Sequence, residues 1–290
     1  MISIIICSRK ADIPQEIKDN IAATIGCEYE LCVINNSQNE YNIFTAYNEG
    51  VRRAKGDYLL FAHDDVVKYH TQDWGRNIEK HFLDDKKLGL IGVTGTHFWP
   101  QCYSEWSCNM VHSGGCVQNV DGEIETFCDT EYFPEGETIV EAIAVDGIWF
   151  CIRRNLFEKI RFDDRTFSGW HYYDMDICLQ VREIGYKVGI VSDITIEHTS
   201  WGTWNKAWIE SAKKFYNKWQ HTLPQIAGVE MSEREILIRT EYIRRIMGYV
   251  FSFVQSNEEL MHVRQSYAYR IGRKLLSPLH SIKQLYTGDK

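Results

Sequence analysis

No apolar run approaches the ~18 residues that a membrane span needs, and no internal repeat or low-complexity tract interrupts the chain. No Gly-x-Gly-x-x-Gly follows the first apolar segment, and no Gly-Lys-Ser/Thr occurs anywhere. Both absences argue against a dinucleotide oxidoreductase and a P-loop nucleotidase. Cysteine is present nine times, but never as a Cys-x2-Cys pair. The series Cys102, Cys108, Cys116, Cys128 therefore lacks the close pairs of a zinc knuckle. The opening Met1 to Cys7 has no basic region ahead of it, and Arg9-Lys10 arrives too soon for a signal peptide. A strand, reduced thiols and a cytoplasmic protein are expected. Positive charge is the minority, 32 Lys and Arg against 40 Asp and Glu. The net of −8 argues against a nucleic-acid partner.

What remains is an ordinary globular composition, 44% hydrophobic and 25% charged, over a length that fits one large or two small domains. The N-terminal third alternates. Ile2 to Cys7 is a near-continuous apolar run, as in a buried parallel strand. Glu16 to Ile25 reads as a helix, Tyr29 to Ile34 as a strand ending at Asn35-Asn36-Ser37. Ile43, Tyr47, Val51 and Ala54 recur at helical spacing and Gly56 closes that helix. Strand Tyr58 to Ala62, helix Trp74 to Phe82 and strand Leu88 to Val93 follow. This alternation predicts an α/β fold with a doubly wound, mostly parallel sheet. Residues 97 to 140 change character and predict a hairpin-rich insertion with a turn at Asp121-Gly122, able to cover one side of a site. Glu141 to Ile152 reads as one strand with a polar break at Asp146-Gly147. Asp174 to Ile184 is helical with Gly185 as its cap, and Lys187 to Val191 is a final strand. Beyond residue 203 only helices are expected, Trp204 to Gln220 and Glu233 to Gln255. The chain thus divides into a unit over 1–203 and a helical extension over 204–290.

The most informative stretch is Gly56 to Val66, where an apolar strand delivers His63-Asp64-Asp65 at its C-terminal end. Ligands of open α/β sheets bind beyond those strand ends. Two adjacent carboxylates repel each other and lose hydration when buried, so a cation is the natural reason to pair them there. An isolated Asp-Asp pair would more often be a solvated turn. Further polar clusters change that balance: Asn35-Asn36-Ser37, Asp146-Gly147, Trp170 to Asp176, and His198.

In this order the chain resembles the family 2-like inverting glycosyltransferases, nucleotide-sugar-dependent enzymes of the GT-A fold. The resemblance runs over roughly residues 1–202. It rests on Cys7-Ser8-Arg9, Tyr47-Asn48-Glu49-Gly50, Ala54 to Asp65, Asp146-Gly147 with Arg153-Arg154, Phe162-Asp163-Asp164, Asp174 to Leu179, Gly185-Tyr186 and His198-Thr199-Ser200. It implies a divalent metal, Mn2+ or Mg2+, bound by Asp65 and His198, with His63 as hydrogen-bonding partner or further ligand. Donor contacts fall to Ser8, Arg9, Asn35, Asn48, Asp64 and Asp146. Asn35 stands where the family commonly has Asp, yet its carbonyl still accepts a uracil N3–H, so a UDP-sugar is the expected donor. Asp174 takes the place of the catalytic base, and Tyr173 replaces the Glu that usually precedes it. Trp170 and His171 are expected on the acceptor side, facing a glycan or lipid-linked acceptor. Trp106, Trp149 and Trp201 read equally well as core.

Asp174 and Asp176 are two apart on a helix and so face different directions, which lets one serve the site while the other pairs elsewhere. The His63, Asn35 and Tyr173 departures keep open a catalytically inactive binding protein of the same fold, and a sugar nucleotidyltransferase is the rival enzyme. Finally, 264–290 holds six Lys or Arg against one acid, with Ile271, Leu275, Leu279 and Ile282 at helical spacing. That segment reads as packed on the domain or as a peripheral contact with an anionic membrane face.

Overall fold

The computed structural model of the chain describes residues 1–108, 111–127 and 133–265. Its centre is a seven-stranded sheet in the order Ile139–Ala142, Lys187–Val191, Leu88–Gly92, Trp149–Arg153, Tyr58–His63, Ile2–Ser8, Tyr29–Asn35. Ile2–Ser8 pairs in parallel with both of its neighbours, and Lys187–Val191 pairs in parallel with Leu88–Gly92. Trp149–Arg153 and Ile139–Ala142 run against the rest. Every residue of Ile2–Ser8 is buried, as a central strand covered on both faces must be.

Six helices are present among the described residues: α1 Gln15–Thr24, α2 Ile43–Arg53, α3 Trp74–Asp84, α4 Tyr173–Glu183, α5 Lys206–Trp219 and α6 Glu233–Gln265. Ile17, Ile21, Trp74, Ile78 and Phe82, from α1 and α3, pack with Ile4 and Leu60 on one side of the sheet. Phe44, Tyr47, Met175, Leu179, Trp208, Phe215 and Ile243, from the other four helices, pack with Ile5 and Phe61 on the opposite side. Strand alternation sends Ile4 and Ile5 to opposite faces, which is why one strand feeds both cores.

One expectation from the sequence is revised. The segment Glu141–Ile152 is not one strand: Ala144–Val145 pairs with Thr94–Thr96, and the chain turns at Asp146-Gly147 before Trp149–Arg153 enters the main sheet. Apolar periodicity alone could not distinguish one continuous strand from the end of Ile139–Ala142 followed by two separate strands. The helices after residue 203 also share the central core, through Trp208, Ala212, Phe215 and Trp219 of α5 and Ile243, Met247 and Val250 of α6. The predicted turn at Asp121-Gly122 is present, with φ of +53° and +87°, and joins Cys116–Val120 to Glu123–Phe127. The basic segment's 266–290 lies outside the described residues. No helix among the described residues is long and apolar enough to cross a membrane.

Candidate active site

A cleft of about 540 Å³ opens beyond the C-terminal ends of Ile2–Ser8 and Tyr58–His63. Its floor carries His63, Asp64, Asp65, Asp146 and Asp174, and tryptophans line much of the rest. The floor is assembled by two sheets. Tyr58–His63 ends at His63, and the chain turns at Asp64-Asp65 into the short strand Val66–Tyr69. That strand pairs antiparallel with Ile196–His198, so that His198 stands opposite Val66. Ile196–His198 in turn pairs with Cys116–Val120 of the insertion, and Gln118 falls opposite His198.

This register fixes which nitrogen of His198 faces which partner. Gln118 Nε2 donates to the Ser200 carbonyl, so its Oε1 is left to face His198 Nδ1 at 3.2 Å. Oε1 can only accept, so Nδ1 carries a proton, and Nε2 is the nitrogen left to face Asp65. Nε2 points at Asp65 Oδ1, 3.1 Å away, without hydrogen-bond geometry, and both atoms are shielded from solvent with no other partner. Buried polar atoms left without a hydrogen bond are costly, and a cation between this nitrogen and this carboxylate oxygen would satisfy both. His63 Nδ1 is 3.8 Å from the same carboxylate oxygen, and His63, Asp65 and His198 each offer a ligand atom within 4.8 Å of the others. The donor set fits a divalent metal.

The supporting groups agree. Burial lowers His63, keeping its imidazole neutral and able to ligate. Its Nε2 meets the Tyr173 hydroxyl at 2.6 Å. The hydroxyl lies so close to Gly147 that a Cβ there would come within 2.1 Å of it.

Beside this group, Arg9 spans the two adjacent carboxylates. Its backbone N–H donates to Asp64 Oδ2 at 2.9 Å, its guanidinium to Asp64 Oδ1 at 2.8 Å and to Asp65 Oδ2 at 3.4 Å. Across the floor, Asp174 sits in the first turn of α4 and accepts the N–H of Gly147 at 2.8 Å and that of Met175 at 2.9 Å. Burial first, and then the Asp146 carboxylate, raise Asp174 to about 7. Asp146 is itself raised by burial, against the N–H it accepts from Ile148. Two carboxyls with elevated affinity for protons, one at a helix start, make a proton acceptor suited to neutral pH.

The structure gathers Arg9, Asp64, Asp65, Asp146, Trp170, His171 and Asp174 around one cleft, with His198 beneath it bonded to Gln118. Ser8 and Asn35 stand opposite each other at the ends of adjacent strands, Ser8 buried and accepting the Lys10 N–H, Asn35 exposed and accepting the Ser37 N–H. Asn48 faces elsewhere: its amide is engaged with both backbone groups of Phe162 and ties α2 to that turn. Asp176 also turns away, accepting from Lys218, Trp219 and Gln180. Trp149 is fully buried in the core, whereas Trp106 and Trp201 line the cleft. Sequence reasoning missed Gln118 and the Tyr173 hydroxyl, because each meets its histidine only through pairing across 80 and 110 residues.

The sequence pattern described as "Glycosyltransferase like family" matches residues 3–223. A curated relative, "ATP synthase subunits region ORF 6" of Fuscovulum blasticum, is 26% identical over 157 residues, covering 53% of this chain. The chain spans 57% of that relative's length. Among solved structures, GalNAc-T7 with UDP, GalNAc and Mn2+ is 11% identical, with a TM-score of 0.49 over 71% of this chain and 44% of that one. TarS 1–349 of S. aureus is 13% identical, with a TM-score of 0.49 over 86% of this chain and 74% of that one.

Proposed function

Given that the chain belongs to this glycosyltransferase-like family, we propose that it transfers a sugar from a nucleotide-diphosphate donor, a UDP-sugar, to an acceptor hydroxyl with inversion at the anomeric carbon. The observation that carries this reading is the shared cleft: His63 and Asp65, backed from beneath by His198 in a metal-competent group, stand on the same floor as Asp174. A divalent metal on those three residues supplies Lewis-acid stabilisation of negative charge on a diphosphate. Imidazole ligation favours Mn2+ over Mg2+, which prefers an all-oxygen shell.

The protein's own groups do the rest. Arg9 brings a guanidinium to the diphosphate side, beside Asp64. Asp174 takes the proton of the acceptor hydroxyl while its oxygen bonds to the anomeric carbon and the bond to the diphosphate breaks, the diphosphate leaving with the electron pair. One displacement needs no covalent enzyme intermediate. Burial, and then the Asp146 carboxylate, keep Asp174 basic enough to accept that proton near neutrality.

The test is calorimetry of UDP binding with and without Mn2+, on the wild type and on Asp65→Ala. Mn2+ should strengthen binding in the wild type and have no effect in the variant, which should remain folded. Equal affinity in both proteins, with metal and with EDTA, overturns the metal assignment.

A further inference from the structure

Five of the nine tryptophans line the one cleft: Trp106, Trp170, Trp201, Trp204 and Trp208. Three are strongly exposed, Trp170 at 46%, Trp201 at 60% and Trp204 at 45%. Tryptophan placed in water with no partner loses its hydrophobic contribution, so such a concentration at one mouth calls for a ligand with apolar faces.

The rings are not scattered. Trp204 lies 5.9 Å from Trp208, and Trp208 lies 6.0 Å from Tyr172. Tyr172 is two residues before Asp174 and caps α4 in a left-handed conformation, φ +66°, that a bulky residue adopts only when its surroundings hold it there. Its hydroxyl donates to the Ser104 carbonyl, and its ring packs 5.3 Å from Phe215. Trp208 is wedged edge-on against Phe251 of α6. An aromatic ladder therefore runs from the solvent-exposed Trp204, through two fixed and buried rings, to the helix turn that holds Asp174.

We propose that the exposed Trp201 and Trp204, the latter backed by the buried rings of this ladder, form the acceptor subsite, and that its occupant is a saccharide chain carried toward Asp174 with its ring faces on these two indoles. This rests on the glycosyl-transfer reading. A pyranose has one face of C–H groups that stacks on indole and an equator of hydroxyls that needs acceptors. Glu105, Asp174 and His171 supply polar groups along the same wall. A polyprenyl chain would need a continuous apolar groove, which these polar residues interrupt. A nucleobase is the other planar candidate, but Ser8 and Asn35, the strand ends where the donor is expected, are not among the residues that line the cleft with 201–208.

The experiment is saturation-transfer NMR with soluble tetrasaccharides of glucose, galactose and N-acetylhexosamines, together with calorimetry of UDP and Mn2+. Wild type, Trp204→Ala, Trp201→Ala and Trp204→Phe are compared; both positions are exposed, so the variants should fold. At least one tetrasaccharide should bind the wild type, weaken about 5- to 10-fold in each alanine variant, the scale of a single aromatic stacking contact, and be largely retained by Trp204→Phe. UDP affinity should be unchanged throughout. If the wild type binds UDP with Mn2+ but no tetrasaccharide, or binds one equally after both alanine changes, the subsite is overturned while the transferase reading stands. Loss of UDP affinity in the variants would make the ladder a nucleobase platform and equally overturn it. Failure of the wild type to bind UDP or any saccharide would sink both.

Discussion

The Tyr173 hydroxyl and His63 Nε2 lie 2.6 Å apart, joining the first residue of α4 to the last residue of the strand that opens the metal-competent turn. This contact occupies one imidazole nitrogen and leaves Nδ1 to face Asp65. Tyr173→Phe should weaken Mn2+ binding about tenfold, the lower end for loss of a partner behind a ligand. Stability should fall by only ~1 kcal/mol for one hydrogen bond. Titration of Mn2+ by electron paramagnetic resonance decides it: unchanged affinity would remove Tyr173 from the site.

Asp174→Asn should retain UDP affinity in the presence of Mn2+ and lose transfer by at least about 100-fold, since an amide cannot accept the acceptor's proton. Transfer near the wild-type rate would pass the role of base to Asp146.

Asp174, raised to about 7 by burial and by Asp146, must be ionised to act, so kcat should fall as pH drops below neutrality. Asp146→Asn removes the neighbouring charge and should move that acid limb to lower pH. The same elevation has a stability consequence of definite sign. Between the ordinary carboxyl value, about 4, and about 7, the folded chain holds a proton that the unfolded chain has released. Stability from this group is therefore full below that window and lost as pH rises through it. Urea unfolding of wild type and Asp174→Asn across that range should show a slope in the first that is reduced in the second.

Lys218 bridges Asp163 and Asp176 at 2.8 Å each, and Asp176 is 1% exposed. Lys218→Met should destabilise by about 3 kcal/mol, because it strands a buried carboxylate. Adding Asp176→Leu should recover part of that loss. A urea midpoint unmoved by the single change would show the pair to be dispensable.

Much of this was legible before any coordinates. Strands with both faces buried, such as Ile2–Ser8, announce themselves as apolar runs, and His63-Asp64-Asp65 follows directly from the end of one. The separation of Asp174 from Asp176 was foreseeable from helical periodicity: the first lines the cleft, the second pairs with Lys218. The family resemblance alone pointed to Asn48 as a donor contact; in the fold its amide hydrogen-bonds both backbone groups of Phe162, a pairing across 114 residues with no local signal. Gln118 carried no local signal at all. Its position opposite His198 is a property of strand register, which a sequence states only once the partners are known.

Gly147 touches none of the metal-competent atoms, yet its missing Cβ is what admits the Tyr173 hydroxyl. Positions 147 and 173 should consequently vary together in related chains. A lineage that replaced the glycine would have to shorten or withdraw the tyrosine in the same step, and would then need another way to orient the imidazole at 63. Covariation between these two positions, in sequences that keep histidine at 63, is the historical trace this geometry should leave.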